Sequence, residues 1–142
     1  MDIAVNPNNI NEVHIAGVLT WRSVDGGTSF NITSQWTENN AINDNIGYCH
    51  ADVDILEYAG GSLFVGSDGG IFRADDSANV TVGYYEDITA GLGIRQFYRI
   101  GVSQEQDVTI TGGSQDNGSS FYRESTGWID WIGADGMEGY IH

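Results

Sequence analysis

The chain has 142 residues with 40% hydrophobic side chains and 20 glycines, enough for one turn-rich globular domain with a real core. It has no lysine, five Lys+Arg residues in total and 20 acidic ones, and the formal net charge of −15 excludes the basic footprint that nucleic acid or an anionic membrane needs. The one cysteine, Cys49, excludes an internal disulfide, and no apolar run reaches the ~18 residues of a membrane-spanning helix. Asp2 stands where a signal peptide would carry positive charge, so no leader is expected within this sequence.

In chain order the pattern is that of short strands broken by turns. Ile3-Ala4-Val5 is a β-run closed by Asn6-Pro7-Asn8-Asn9, and strands follow at 12–17 and 19–23. Residues 30–33 leave the next turn, and 38–44 read as polar and irregular. A second set begins with a strand over His50–Tyr58, returns over Leu63–Gly66, goes out over Ile71–Arg73 and ends with a strand over Val80–Ile88. Residues 74–79 are a degenerate counterpart of the turn at 23–30. A third set has strands at 95–102, 108–113, 120–123 and 127–132. Tyr140-Ile141-His142 reads as the first strand of a further set.

The sets share a register. Gly17, Gly66 and Gly112 close equivalent strands, 49 and then 46 residues apart. Four short strands at that period match a propeller blade of ~40–50 residues, and no 3.6-residue periodicity competes. The expected architecture is therefore all-β, with about three four-stranded antiparallel blades at roughly 1–40, 48–91 and 94–133 and the start of another at 134–142. Closed propellers use about 4–8 blades. Three would be part of a larger propeller or be completed by a homo-oligomer.

Ser23-Val24-Asp25-Gly26-Gly27-Thr28-Ser29-Phe30 resembles the Asp-box hairpin of BNR-repeat, sialidase-type propellers. Asp-Gly-Gly supplies the positive-φ positions of a tight turn, the Asp and Ser side chains can accept from its backbone N–H groups, and Phe30 would point between sheets. Ser23, Asp25, Gly27 and Phe30 are thus expected to serve structure.

The wider order of motifs is similar to large secreted Asp-box propellers, including the sortilin type and the xyloglucanases of glycoside hydrolase family 74. That resemblance implies a secreted, carbohydrate-active protein acting on or binding extracellular polysaccharide, with an inverting two-carboxylate mechanism if it is an enzyme. Ser67-Asp68-Gly69-Gly70-Ile71-Phe72-Arg73 is similar to a segment that carries one catalytic Asp in that family, and His50-Ala51-Asp52-Val53-Asp54 to one near the second. Asp68 with Asp52 or Asp54 would be acid and base, with Arg73 beside the substrate. The alternative is a non-catalytic binding or adhesion module.

The residues carry further readings of their own. Turn aspartates, Asp116 and Asp135 among them, ordinarily satisfy local backbone donors. His50, Asp52 and Asp54 at a two-residue period would share a strand face and offer ligands for a metal, calcium before zinc. Of four tryptophans, Trp21 and Trp36 read as core between blades, while Trp128 and Trp131 are better placed to stack on sugar rings. His14 and His142 read as surface or capping residues, and Cys49 as buried and inert.

Overall fold

The computed structural model describes residues 1–75, 79–93, 95–115 and 117–141. Asp116, His142 and the middle of the degenerate turn at 74–79 lie outside them. The chain is all-β, as its pattern predicts, and forms two compact units, Met1–Gly91 and Leu92–His142.

The first unit holds two four-stranded antiparallel meanders. Strands β1 (Asp2–Val5), β2 (Val13–Ala16), β3 (Thr20–Ser23) and β4 (Asn31–Ile32) pair in sequence order. Strands β5 (Ser34–Gln35) and β6 (Gly47–Tyr48) form a small parallel pair that the sequence pattern does not announce. The second meander is β7 (Val53–Ala59), β8 (Ser62–Ser67), β9 (Gly70–Ala74) and β10 (Glu86–Asp87). Its β7 packs on β1 and β2. Two bonds donated by β7 backbone N–H groups pin that contact: Leu56 N–H donates to the Asp2 side chain, Oδ2, at 2.8 Å, and Val53 N–H to the Gly17 carbonyl at 2.8 Å. Phe72, Leu63 and Val65, almost wholly buried, centre the core with Leu56, Tyr84 and Tyr85 around them. Each large apolar side chain so buried contributes about 1.5–3 kcal/mol.

Several expectations change here. Residues 38–44 are helical (α1, Glu38–Asp44), not irregular. Caps set this helix: the Thr37 hydroxyl accepts from Asn40 N–H, and Asn45 ends it at φ 51°. The fourth strand of the second meander is only β10, because Tyr84 and Tyr85 ahead of it turn into the core. The first strand of that meander begins at Val53 rather than His50, since Asp52 sits at φ 57°, outside strand geometry. His14, expected at the surface or as a cap, is fully buried, whereas Trp21 and Trp36, expected in the core, are 39% and 57% exposed.

The second unit is one meander, β11 (Arg99–Val102), β12 (Thr109–Gly113), β13 (Ser119–Arg123) and β14 (Gly127–Ile132), again paired in sequence order. Residues 95–98 precede β11 without strand structure, and Tyr140 and Ile141 form no strand.

The turn at 23–30 is built from its own side chains. Ser23 Oγ accepts from Gly27 N–H at 2.8 Å and donates to Asp25 Oδ1 at 2.7 Å. Asp25 Oδ1 also accepts from the backbone N–H groups of Thr28 and Ser29, at 3.0 and 2.9 Å. Ser29 Oγ donates to Asp25 Oδ2 at 2.7 Å. These bonds, the Ser29 hydroxyl foremost, hold the exposed Asp25 carboxyl down at about 2. Gly26 and Gly27 take φ of 72° and 89°, which a side chain would disfavour. Phe30 is half-buried and folds back toward Gly27.

Candidate functional site

Three groups of chemically capable side chains stand out: one end of the second meander, a buried charged cluster beneath the first, and a mixed aromatic and charged face on the third.

At the end of the second meander, β8 and β9 meet in the turn that carries Asp68 and Gly69, with Ser67 paired to Gly70. The His50 ring lies so close to Gly69 that any Cβ there would collide with it. His50 Nδ1 stands 3.0 Å from the Ala51 carbonyl and donates to it. Val53 pairs with Ser67 and Ile55 with Gly66, so Asp54 is the extra residue of a β-bulge. Bulges re-aim side chains and recur beside functional sites. The structure therefore brings His50, Asp54 and the Asp68 turn to one end of one sheet, with the carboxylates of Asp52, Asp54 and Asp68 all on exposed residues.

It does not gather them as a metal centre. Among the described residues no three His, Cys, Asp or Glu side chains stand close enough to hold an ion. The shared strand face expected for His50, Asp52 and Asp54 is broken twice, by the positive φ at Asp52 and by the bulge at Asp54. Cys49 beside them is buried, and desolvation pushes its thiol up to about 12, so it is no nucleophile.

Arg73 is in β9 and lines a cavity of about 300 Å³ with Asp75, Asn79, Thr81, Tyr84 and Glu86. Its charge is already engaged. Nη2 donates to Glu86 at 2.7 Å, and Nε lies 3.1 Å from Asp75 Oδ1 in an ion pair without hydrogen-bond alignment.

The buried cluster went unnoticed in the sequence. Glu12 is 3% exposed and His14 not at all. Glu12 Oε1 accepts from Arg22 Nε at 3.0 Å and lies 3.2 Å from His14 Nε2, while Glu12 Oε2 accepts from Asn6 at 2.9 Å. The register produces this, since His14 pairs directly with Arg22 and Glu12 precedes β2 by one residue. Burial lowers the His14 pKa, which the neighbouring Glu12 only partly offsets. The Tyr58 ring meets the imidazole edge-on, centroids 6.0 Å apart. Paired and closed from solvent, the cluster braces the sheet rather than meeting a substrate.

The third group is the most open. Trp128 is 54% exposed and stacks on Phe97, centroids 5.6 Å apart and planes 22° apart. Tyr122, its cross-strand partner, flanks it at 5.4 Å. Phe97 lies over Gly112, where a Cβ would strike the ring. Two pairs along the same strands, Ser120 faces Asp130, and Arg95 reaches both: Nη1 donates to Asp130 Oδ1 at 2.7 Å and to Ser120 Oγ. The Ser120 hydroxyl, 2.8 Å from Asp130, and then Arg95 hold the Asp130 carboxyl below its ordinary range. Trp131 is 74% exposed because it is the extra residue of a second bulge, with Ser119 paired to Ile132 and Ser120 to Asp130. Phe97 and Asp130 were not foreseen. The Tyr122–Trp128 pairing was open to inference from the short hairpin loop that joins β13 to β14.

No family model matches the chain, and neither curated proteins nor solved structures show a match to it.

Proposed function

We propose that this chain belongs to a secreted, carbohydrate-active protein of the Asp-box propeller kind, its three meanders serving as blades, and that it binds extracellular polysaccharide at the face around Trp128. The observation that carries the reading is the half-exposed Trp128, backed by Phe97 and set two residue pairs from the Arg95–Asp130–Ser120 cluster. A pyranose ring has an apolar face that suits an indole and a rim of hydroxyls that suits fixed donors and acceptors. Neutral sugars also suit a protein with net charge −15, which would repel polyanions. Isothermal titration against soluble β-glucans and xyloglucan tests it. Trp128→Ala should weaken binding at least about tenfold, or 1.4 kcal/mol, whereas Trp36→Ala, in the other unit, should not. Equal affinity in wild type and Trp128→Ala would refute the assignment.

A second reading, hydrolysis, is favoured by the bulge at Asp54 and by the packing of His50 on the turn of Asp68. An inverting pair stands about 6.5–9.5 Å apart, one carboxyl protonated and the other ionised. Asp68 and Asp54 are the assigned pair, with Asp52 beside them. Release of reducing ends that survives both Asp68→Asn and Asp54→Asn would end that reading.

A further inference from the structure

The two faces of the first sheet differ in what they meet. Side chains alternate along each strand, so Ala4, His14, Ala16 and Thr20 share the face that packs toward β7, and all are buried. On the other face the register aligns Ile3 with Ile15, Ile15 with Trp21 and Trp21 with Ile32, an unbroken apolar row across all four strands. Val5, Val13 and Ser23 form the next row, in which Val13 and Ser23 are already buried, so the open part of the face is the first row with Val5. Ile3 is 62% exposed, Val5 48% and Trp21 39%. No charged side chain stands on this face of the four strands, although the chain as a whole carries a formal −15.

We propose that this neutral face docks a second copy of the chain, sheet on sheet about a two-fold axis. The charge distribution selects the occupant. Two copies of so acidic a chain repel wherever their carboxylates meet, and burying an unpaired carboxylate is costly. A face without charge lets like-charged copies approach closely and desolvates only apolar groups. A two-fold contact needs one self-complementary patch, and a row of Ile, Ile, Trp and Ile supplies it without partnered charges. Aligned sheets pack face to face about 10 Å apart, close enough for such side chains to interdigitate. The inference does not depend on sugar binding, which involves other residues.

The sign of the salt effect is the distinguishing consequence. A dimer held by ion pairs weakens as salt is added. A dimer of neutral faces on mutually repelling chains strengthens, because screening removes the repulsion while the apolar contact remains. Sedimentation velocity on the full chain at about 0.02 M and about 0.5 M sodium chloride, where the Debye length falls from roughly 20 Å to 4 Å, reads this directly. The expected result is a reversible dimer whose fraction rises with salt. Ile3→Glu, at an exposed position that does not threaten folding, should raise the dimer dissociation constant at least about tenfold with unchanged circular dichroism, and Trp21→Glu should do the same. Trp131→Glu, on the third meander, should leave the dimer intact. A monomer at both salt concentrations, a dimer that weakens with salt, or a dimer indifferent to Ile3→Glu and Trp21→Glu would each overturn the proposal.

Discussion

Tyr85 Oη lies 2.9 Å from Thr20 Oγ1 although the two residues are 65 positions apart. Thr33 Oγ1 completes a buried triangle, 3.0 Å from Tyr85 Oη and 2.8 Å from Thr20 Oγ1. Through it the end of the second meander is tied to the first by hydroxyl groups alone. Burial drives the Tyr85 phenol far above its ordinary range, so it remains a neutral donor and acceptor at any physiological pH.

Tyr85→Phe should therefore destabilise the first unit modestly. The two threonines keep their mutual bond, so only the contribution of the phenol is lost, about 1–2 kcal/mol. Urea denaturation followed by far-ultraviolet circular dichroism measures it. A neutral Tyr85→Phe would show that the triangle contributes no net stability.

His14 makes stability depend on pH in a defined direction. Its folded pKa lies below 6.5, chiefly because burial penalises the charged ring. Above pH 6.5 the imidazole is neutral in both states and its full contribution is present. As pH falls below 6.5 the unfolded chain takes up a proton that the folded chain resists, and stability drops by at most about 1.4 kcal/mol per pH unit. The urea midpoint should fall between pH 7.5 and pH 5.5, and His14→Gln should flatten that slope. A slope unchanged in His14→Gln would assign the effect to another group.

Asp25 acts in the same direction at lower pH. Its folded pKa of about 2 is below the ordinary 3.8, so its contribution is intact above pH 3.8 and disappears as pH falls toward 2. Asp25→Asn should lower the melting temperature at pH 6, and the gap between variant and wild type should narrow steadily below pH 3.8. Scanning calorimetry across that range checks the sign. A gap that stays constant with pH would mean that the carboxylate charge is irrelevant to the turn.

What could be foreseen follows from how local its cause is. Strands joined by glycine turns were legible, since Gly26, Gly27, Gly60 and Gly61 all take the positive φ that their turns require. The helix at 38–44 was missed because seven residues are too few for periodicity, and its signal lay only in Thr37 and Asn45 at its ends. The inward turn of Tyr85 depends on hydroxyl partners outside its own meander, which no local pattern reveals. His14 looked solitary because its partners are distributed: Glu12 two residues before it and Arg22 across the strand pair. Trp128 was found as an exposed aromatic, but its backing by Phe97 and its Arg95–Asp130 neighbours required the fold. The metal reading of His50, Asp52 and Asp54 failed locally, because a two-residue spacing shares a face only where the strand is regular.

Gly112 controls the Trp128 face without touching a ligand. It is buried, and a Cβ there would meet Phe97 side-chain carbons and come within 3.1 Å of the Arg99 carbonyl oxygen. The ring can yield but the backbone cannot, so Gly112→Ala should drive Phe97 off the sheet and remove the support beneath Trp128. Overpacking of this kind costs about 1–3 kcal/mol. Near-ultraviolet circular dichroism should lose aromatic signal, and affinity for a bound β-glucan should fall alongside. Phe97→Leu, which leaves the backbone unstrained, should lower affinity with little loss of stability. If Gly112→Ala binds normally while the aromatic signal is lost, stacking of Phe97 on Trp128 is not what prepares this face for a sugar ring.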